Sequence, residues 1–243
     1  MRTRLKTSTA ALAAAVLLLA GCGGSDEPDA VTVPPSTIRG DNGVAAKEPE
    51  AAIAAAEAAF RAAPSVRVRI IDDTRTKHVA SDFVLTKDGA VGWREERGIR
   101  VHVIRTRRGL YMRGREYWAR TDPFLGKAFG DKWVLQEKGP STPLGTQLTL
   151  GEFADAILAP MSGPTGGDVG KSVTAAGGRP VVRLVLAGGT YDITATGKPY
   201  PVRLEFTDSK SPSFLFSEQG RRVTVKDPKG AIDSTKPITI GEQ

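Results

Sequence analysis

At 243 residues, with 25% charged and 40% hydrophobic side chains, the chain has the composition of a globular protein with one domain of ordinary size. The formal charge is +7, but Arg2, Arg4 and Lys6 sit at the extreme N-terminus, and the 31 basic and 27 acidic residues that remain give only +4. So mild a surplus argues against nucleic acid as a partner, and a single cysteine excludes a disulfide framework.

The first element is an export signal. Arg2, Arg4 and Lys6 form a positive start, and Ser8 to Ala20 is free of charge and rich in alanine and leucine. That apolar run is shorter than the roughly 20 residues a helix needs to span a bilayer, and small residues end it, so cleavage is expected rather than permanent spanning. The segment Leu19-Ala20-Gly21-Cys22 follows, and it resembles the bacterial lipobox, in which the thiol accepts a diacylglycerol and the peptide bond before it is cut. On this reading residues 1–21 are a lipoprotein signal peptide and Cys22 is a lipidation site. Two or more acyl chains, palmitate among them, would hold the mature chain at the outer face of the cell membrane, since each buried methylene contributes about 0.8 kcal/mol. Residues 22–47, rich in Gly, Pro, Ser, Thr and Asp, read as the lipidated cysteine and a disordered tether.

A domain is expected over residues 48–230, with 231–243 as a C-terminal tail. It opens on a helix in "KEPEAAIAAAEAAFRAAPS": Pro49 suits a first turn, and Ile53, Ala56, Phe60 and Ala63 share a face before Pro64. From Ser65 the period changes to two. "VRVRI", then Phe83 and Leu85, Val91 and Trp93, and Ile99, Val101 and Val103 read as strands joined by tight turns, with "LYMRGREYW" as the next hairpin. The middle of the chain turns helical. "DPFLGKAFGD" predicts a short helix with Phe124 and Phe129 inward, and in "TLGEFADAIL" Thr149 and Glu152 form a capping pair ahead of an apolar face of Phe153, Ala156 and Ile157. Residues 181–206 alternate again through Val182, Leu184, Leu186, Tyr191, Ile193, Val202, Leu204 and Phe206, with further strands predicted at Phe214–Ser217 and Arg222–Lys226. Two strand blocks around a helical middle predict an α+β fold: a curved antiparallel sheet with a few helices packed on its concave face.

The sequence carries little sign of catalysis. "TGGDVGKS" looks like a phosphate-binding loop, but Thr165 stands where that motif needs glycine. His78 and His102, 24 residues apart, lack the spacing of a metal-binding pair, and no nucleophile elbow is present. Asp72-Asp73 and Glu95-Glu96 are adjacent, so in strands their side chains face opposite ways. No enzyme, metal or cofactor is therefore expected. The aromatics Tyr111, Tyr117, Trp118, Phe124, Phe129 and Trp133 cluster where sheet and middle helices meet, and they suit either ordinary packing or the wall of a cavity.

The order of these parts, with "LYMRGREYWAR", "DKWVLQ" and "YDITATGKPYPVRLEF" as its most recognisable stretches, resembles the LppX/LprG group of actinobacterial lipoproteins over roughly residues 48 to 227. That group is related in fold to the carrier LolA. The resemblance implies a half-barrel enclosing an apolar cavity, and a lipoprotein that binds or shuttles lipid or acylated glycolipid at the envelope. Alternation and helix phase supply candidate lining residues: Val68, Leu85, Trp93, Val101, Met112, Trp118, Phe153, Ile157, Leu184 and Leu204. A second reading stays open, in which the core is filled by its own side chains and the chain works as a non-catalytic interaction or assembly lipoprotein with an envelope protein partner. Replacing Cys22 by alanine is expected to abolish incorporation of labelled palmitate into the full chain. Label retained on the variant would refute the proposed anchor.

Overall fold

The computed structural model describes residues 39–74, 77–136, 148–162, 170–208 and 211–236. Cys22, the export signal and most of the expected tether lie outside them. Helix α1 spans Pro49–Ala62, and strands β1 (Ser65–Thr74), β2 (Lys77–Thr86), β3 (Ala90–Glu96), β4 (Ile99–Arg105) and β5 (Leu110–Arg113) follow. Helices α2 (Arg115–Thr121) and α3 (Pro123–Phe129) and the short strand β6 (Val134–Gln136) lead to α4 (Leu150–Phe153). The second strand block is β7 (Gly170–Ala176), β8 (Arg179–Leu186), β9 (Gly189–Thr194), β10 (Pro201–Phe206) and β11 (Ser213–Ser217), and β12 (Ile232–Asp233) comes last. All twelve strands form one open, curved sheet in the order β12-β6-β5-β4-β3-β2-β1-β11-β10-β9-β8-β7. The first strand of one block thus pairs with the last of the other, Val68 opposite Phe216 and Ile70 opposite Phe214. Every pairing is antiparallel except β12 beside β6, so the sheet is mixed at that edge.

Pair register separates the two faces. Val66, Val68, Phe83, Leu85, Val103, Met112, Phe214, Phe216, Leu204, Tyr191, Leu184 and Val182 all point inward and are buried. Against them lies α1, with the predicted stripe of Ile53, Ala56 and Phe60 fully buried. Phe60 meets the Phe153 ring at 5.6 Å and Phe216 at 5.9 Å, and Phe153 meets Phe214 at 5.7 Å, so four rings plug the middle of the trough. The outer face carries charge in pairs. Arg67 donates two hydrogen bonds to the buried Asp82 carboxylate at 2.7 and 2.8 Å, which hold that carboxyl below the ordinary carboxylate range, and Arg183 binds Asp192 in the same way at 2.8 Å.

Several expectations need correcting. The stretch "LYMRGREYW" is not a hairpin: β5 stops at Gly114, where a Cβ would come within 2.9 Å of the Arg100 carbonyl, and the chain turns into α2 with Trp118 buried. Helix α3 forms as predicted, its first turn capped by the Asp122 carboxylate accepting from the Phe124 amide at 2.7 Å. Phe124 and Phe129 are five residues apart, about 140° around a helix, so Phe129 packs on Trp118 at 5.2 Å while Phe124 is exposed. The Thr149 cap is present, Oγ1 accepting from the Glu152 amide at 3.1 Å, but after Phe153 the helix widens into a π turn over Ala154–Leu158. That wider turn brings Phe153 and Leu158 to one side, with Ala154, leaving Ala156 exposed and Ile157 only partly buried.

The ends of the domain are longer than the sequence suggests. Residues 41–46, assigned to the tether, pack on the fold: the Asn42 amide donates to the Ala195 carbonyl at 3.0 Å, its side chain to Thr194 at 2.9 Å, and Val44 is fully buried. Arg222–Lys226 is not a strand. It belongs to an extended strap that runs past the strand ends, held where Ser65 donates to the Arg221 carbonyl and Thr106 to Asp227 at 2.6 Å, before Ile232 pairs with β6. Among the described residues no helix is long and apolar enough to cross a membrane. Because the four-ring plug joins α1 and α4 to β11, the strand that pairs with β1, Phe153→Ala is expected to cost about 3–5 kcal/mol of unfolding free energy in urea denaturation. A loss below 1 kcal/mol would show that the trough is not held together there.

Candidate functional site

The plug does not fill the trough to its end. A cavity of about 390 Å³ remains between β3, β4, β5 and helix α2, lined by Arg94, Glu96, Arg97, Ile99, Val101, Met112, Tyr117, Arg120 and Thr121. This volume lies near the lower end of the range of about 300–1,000 Å³ usual for ligand sites. Val101 and Met112 are buried and form the floor, Ile99 and Tyr117 are half-buried in the wall, and Arg97, Arg120 and Thr121 are exposed at the mouth.

Strand register explains this mixture. Val101 lies opposite Arg94, and Ile99 opposite Glu96, so both charged side chains of β3 point inward with the apolar ones of β4. Two residues before Arg94 on β3 is Gly92, opposite both Phe83 and Val103. A Cβ there would stand 2.1 Å from the Asp82 carbonyl and 2.7 Å from the Phe83 ring, so Phe83 takes the space of the missing side chain. The inward residues of β3 are therefore Ala90, Gly92, Arg94 and Glu96, and its two large apolar residues face out.

That register decides the fate of the sequence candidates. Val101 and Met112 line the cavity. Val68, Leu85, Phe153, Leu184 and Leu204 are inward but closed within the filled core, and Ile157 is packed against it. Trp118 belongs to that core too, its ring against Tyr117 at 4.9 Å and Phe129 at 5.2 Å. Trp93 is misplaced by the alternation argument. It pairs with Asp82 and His102 on the outer face, where the Arg100 guanidinium covers its ring at 4.0 Å. His102 is beside it, and burial, together with Arg113 and Arg100, pushes its imidazole below the ordinary range, favouring the neutral form. Of the other lining residues, Tyr117 is among the aromatics that the sequence allows in a cavity wall, and the arginines from Arg94 to Arg120 read from sequence as exposed strand faces or, less simply, as contacts to lipid phosphates, whereas Glu96, Ile99 and Thr121 carry no such reading. Ile99 is in phase with Val101, and the same alternation could have found it.

Among the described residues no cluster of three or more His, Cys, Asp or Glu side chains is placed to hold a metal. The phosphate-loop lookalike falls largely outside the described residues, and Gly170 and Lys171, within it, begin strand β7.

Neither a family model nor a curated protein matches the chain. Solved structures do match. The crystal structure of LprF from Mycobacterium bovis is similar at 15% identity with a TM-score of 0.54, covering 79% of this chain and 100% of that one. The chain has the LprF fold. LppX, a lipoprotein of Mycobacterium tuberculosis, is similar at 14% identity with a TM-score of 0.48 over 73% of this chain and 97% of its own. The resemblance read from the order of sequence elements is thus borne out as a shared architecture, an open curved sheet with helices on its inner face. At such identity the LprF likeness carries the fold and transfers no residue role.

Proposed function

We propose that this chain is a non-catalytic lipoprotein, anchored through Cys22 at the outer face of the cell membrane, that binds or shuttles lipid or lipoglycan through the cavity beside α2. The observation that carries the reading is the cavity itself: beside the packed core of the described residues, the trough stays open above a floor of Val101 and Met112, with polar groups from β3, the β3–β4 turn and α2 around it. Carriage needs no catalyst, because hydrocarbon entering such a site gains roughly 25 cal/mol per Å² of apolar surface removed from water, and a reversible carrier must offset that gain to release its cargo. The volume suits an acyl chain or part of one, with a larger head group outside. The lipobox at Leu19–Cys22 supports the anchor, and the LprF fold supports a sheet able to enclose a ligand.

A second reading draws on the aromatic plug. Phe60, Phe153, Phe214 and Phe216 occupy the part of the trough where a long acyl chain would otherwise run, which favours an interaction lipoprotein for an envelope protein partner. Ile99→Trp separates the two, because it fills the cavity from a half-buried position without disturbing the floor. Lipid carriage predicts that this variant binds a fluorescent fatty acid at least ~10-fold more weakly, a loss of about 1.4 kcal/mol, with its melting temperature unchanged. Equal binding by both forms, with no lipid in an organic extract of the purified full chain, would favour the interaction protein.

A further inference from the structure

Charge on the inner face of a core-forming sheet has to be compensated, since an unpaired buried charge is costly. Elsewhere in the trough the protein does so with its own groups. The partly buried Arg105 lies 3.9 Å from Glu152.

At the cavity the inward pair Arg94 and Glu96 follows the same rule, but two further guanidinium groups stand exposed at the mouth. Three guanidinium groups, from Arg94 on β3, Arg97 in the β3–β4 turn and Arg120 on α2, line it together with one carboxylate, Glu96. Glu96 pairs with Arg94 at 3.4 Å. Among the described residues no carboxylate comes within the 4.0 Å of an ion pair to Arg97 or Arg120. Among the described lining residues Arg97 and Arg120 thus stand as two positive charges at an opening whose floor is hydrocarbon.

Arg97 supplies a second, independent observation. Its φ is 53°, in the left-handed region, followed by Gly98 at 78°, the backbone of a tight hairpin turn. A residue with a long side chain pays for that conformation, by roughly 1–2 kcal/mol, whereas asparagine and glycine adopt it readily. The turn therefore keeps a guanidinium at the mouth where backbone preference favours asparagine or glycine. Tyr117, in the wall between these groups, is a neutral hydroxyl donor, and burial moves its ionisation further above the usual tyrosine range.

We propose that the cavity takes an amphiphile with an anionic head, its hydrocarbon against Ile99, Val101 and Met112 and its phosphate or carboxylate between the guanidinium groups of Arg97 and Arg120. This rests on the lipid-binding reading and narrows it to a class of ligand. Guanidinium forks match the geometry of phosphate and carboxylate oxygens, and hydrogen bonds to an ionised acceptor are about twice as strong as neutral ones. A neutral head would leave both arginines to water and gain nothing from them.

Single-chain probes with one tail and different heads test this. The full lipidated chain in phosphatidylcholine nanodiscs is titrated with dodecyl phosphate, with dodecanol and with inorganic phosphate, uptake by empty discs being subtracted. Dodecyl phosphate is expected to bind at least ~10-fold more tightly than dodecanol, as one charge-assisted contact suffices to give. Arg97→Asn, which suits the turn, is expected to remove most of that difference without lowering the melting temperature or altering dodecanol binding, and Arg97→Lys to retain part of it. Equal affinity for dodecyl phosphate and dodecanol would overturn the anionic head while leaving lipid binding intact. If neither probe binds, the lipid-binding reading falls as well. Inorganic phosphate binding as tightly as dodecyl phosphate would show a simple anion site and overturn the amphiphile.

Discussion

A twelve-stranded sheet that does not close has one long inner face to remove from water, and among the described residues four α-helices and a few shorter helical turns are there to cover it. The rest of the structure follows from how that shortage is met. Between α1 and α4 the solution is bulk: Phe60 and Phe153 reach down from the helices to Phe214 and Phe216 on β11, close enough for edge-on ring packing. The same contact joins the two strand blocks, because β11 pairs with β1 at the centre of the sheet. Beyond the plug the cover passes to the α2–α3 pair, which are short helices of seven residues each packed so closely that a Cβ on Gly126 would lie 2.6 Å from that of Ala119. So compact a pair protects Trp118 and Phe129 and leaves the neighbouring end of β3 and β4 uncovered, which is where the cavity lies.

Charge placement is consistent with this division of labour. On the outer face, carboxylates that the sheet buries are matched by arginine forks, as Asp82 is by Arg67 and Asp192 by Arg183, so water is replaced by fixed partners. At the cavity the matching is incomplete, and the excess is positive. A protein that only needed to close its core would gain by placing apolar residues at the inward ends of β3. Arg94 and Glu96 occupy them instead, and the closing turn between β3 and β4 carries Arg97 in a conformation better suited to asparagine or glycine.

Local pattern and tertiary register diverge most clearly at β3. Read alone, "AVGWREE" offers Val91 and Trp93 as its apolar face, and nothing in seven residues says otherwise. The register with β2 is decided over a longer span, by ten residues of β1 and β2 that bury Val66, Val68, Phe83 and Leu85 together, and a strand that pairs with them must put Gly92 inward against Phe83. Trp93 is then left outside, shielded by Arg100. The helical middle shows a milder form of the same effect. The cap at Thr149 was legible because it depends on a residue three positions away, whereas the burial of Leu158 in place of Ala156 depends on a widened turn that no fixed period anticipates.

By itself the sequence determined what depends on near neighbours along the chain: the phase of α1, the alternation of most strands, the cap at Thr149, and the α+β class that follows from their order. Even the choice of Val101 and Met112 for the cavity came from simple alternation, since β4 and β5 keep their phase. Only the tertiary structure decided which inward residues would be packed and which would face open space, because that depends on where four helices run out over twelve strands. It also decided that Arg94, Arg97 and Arg120, spread over 27 positions and three elements, would meet at one mouth. Charge in a strand reads as solvent-facing unless the partner strands are known, and here the partners turn it inward.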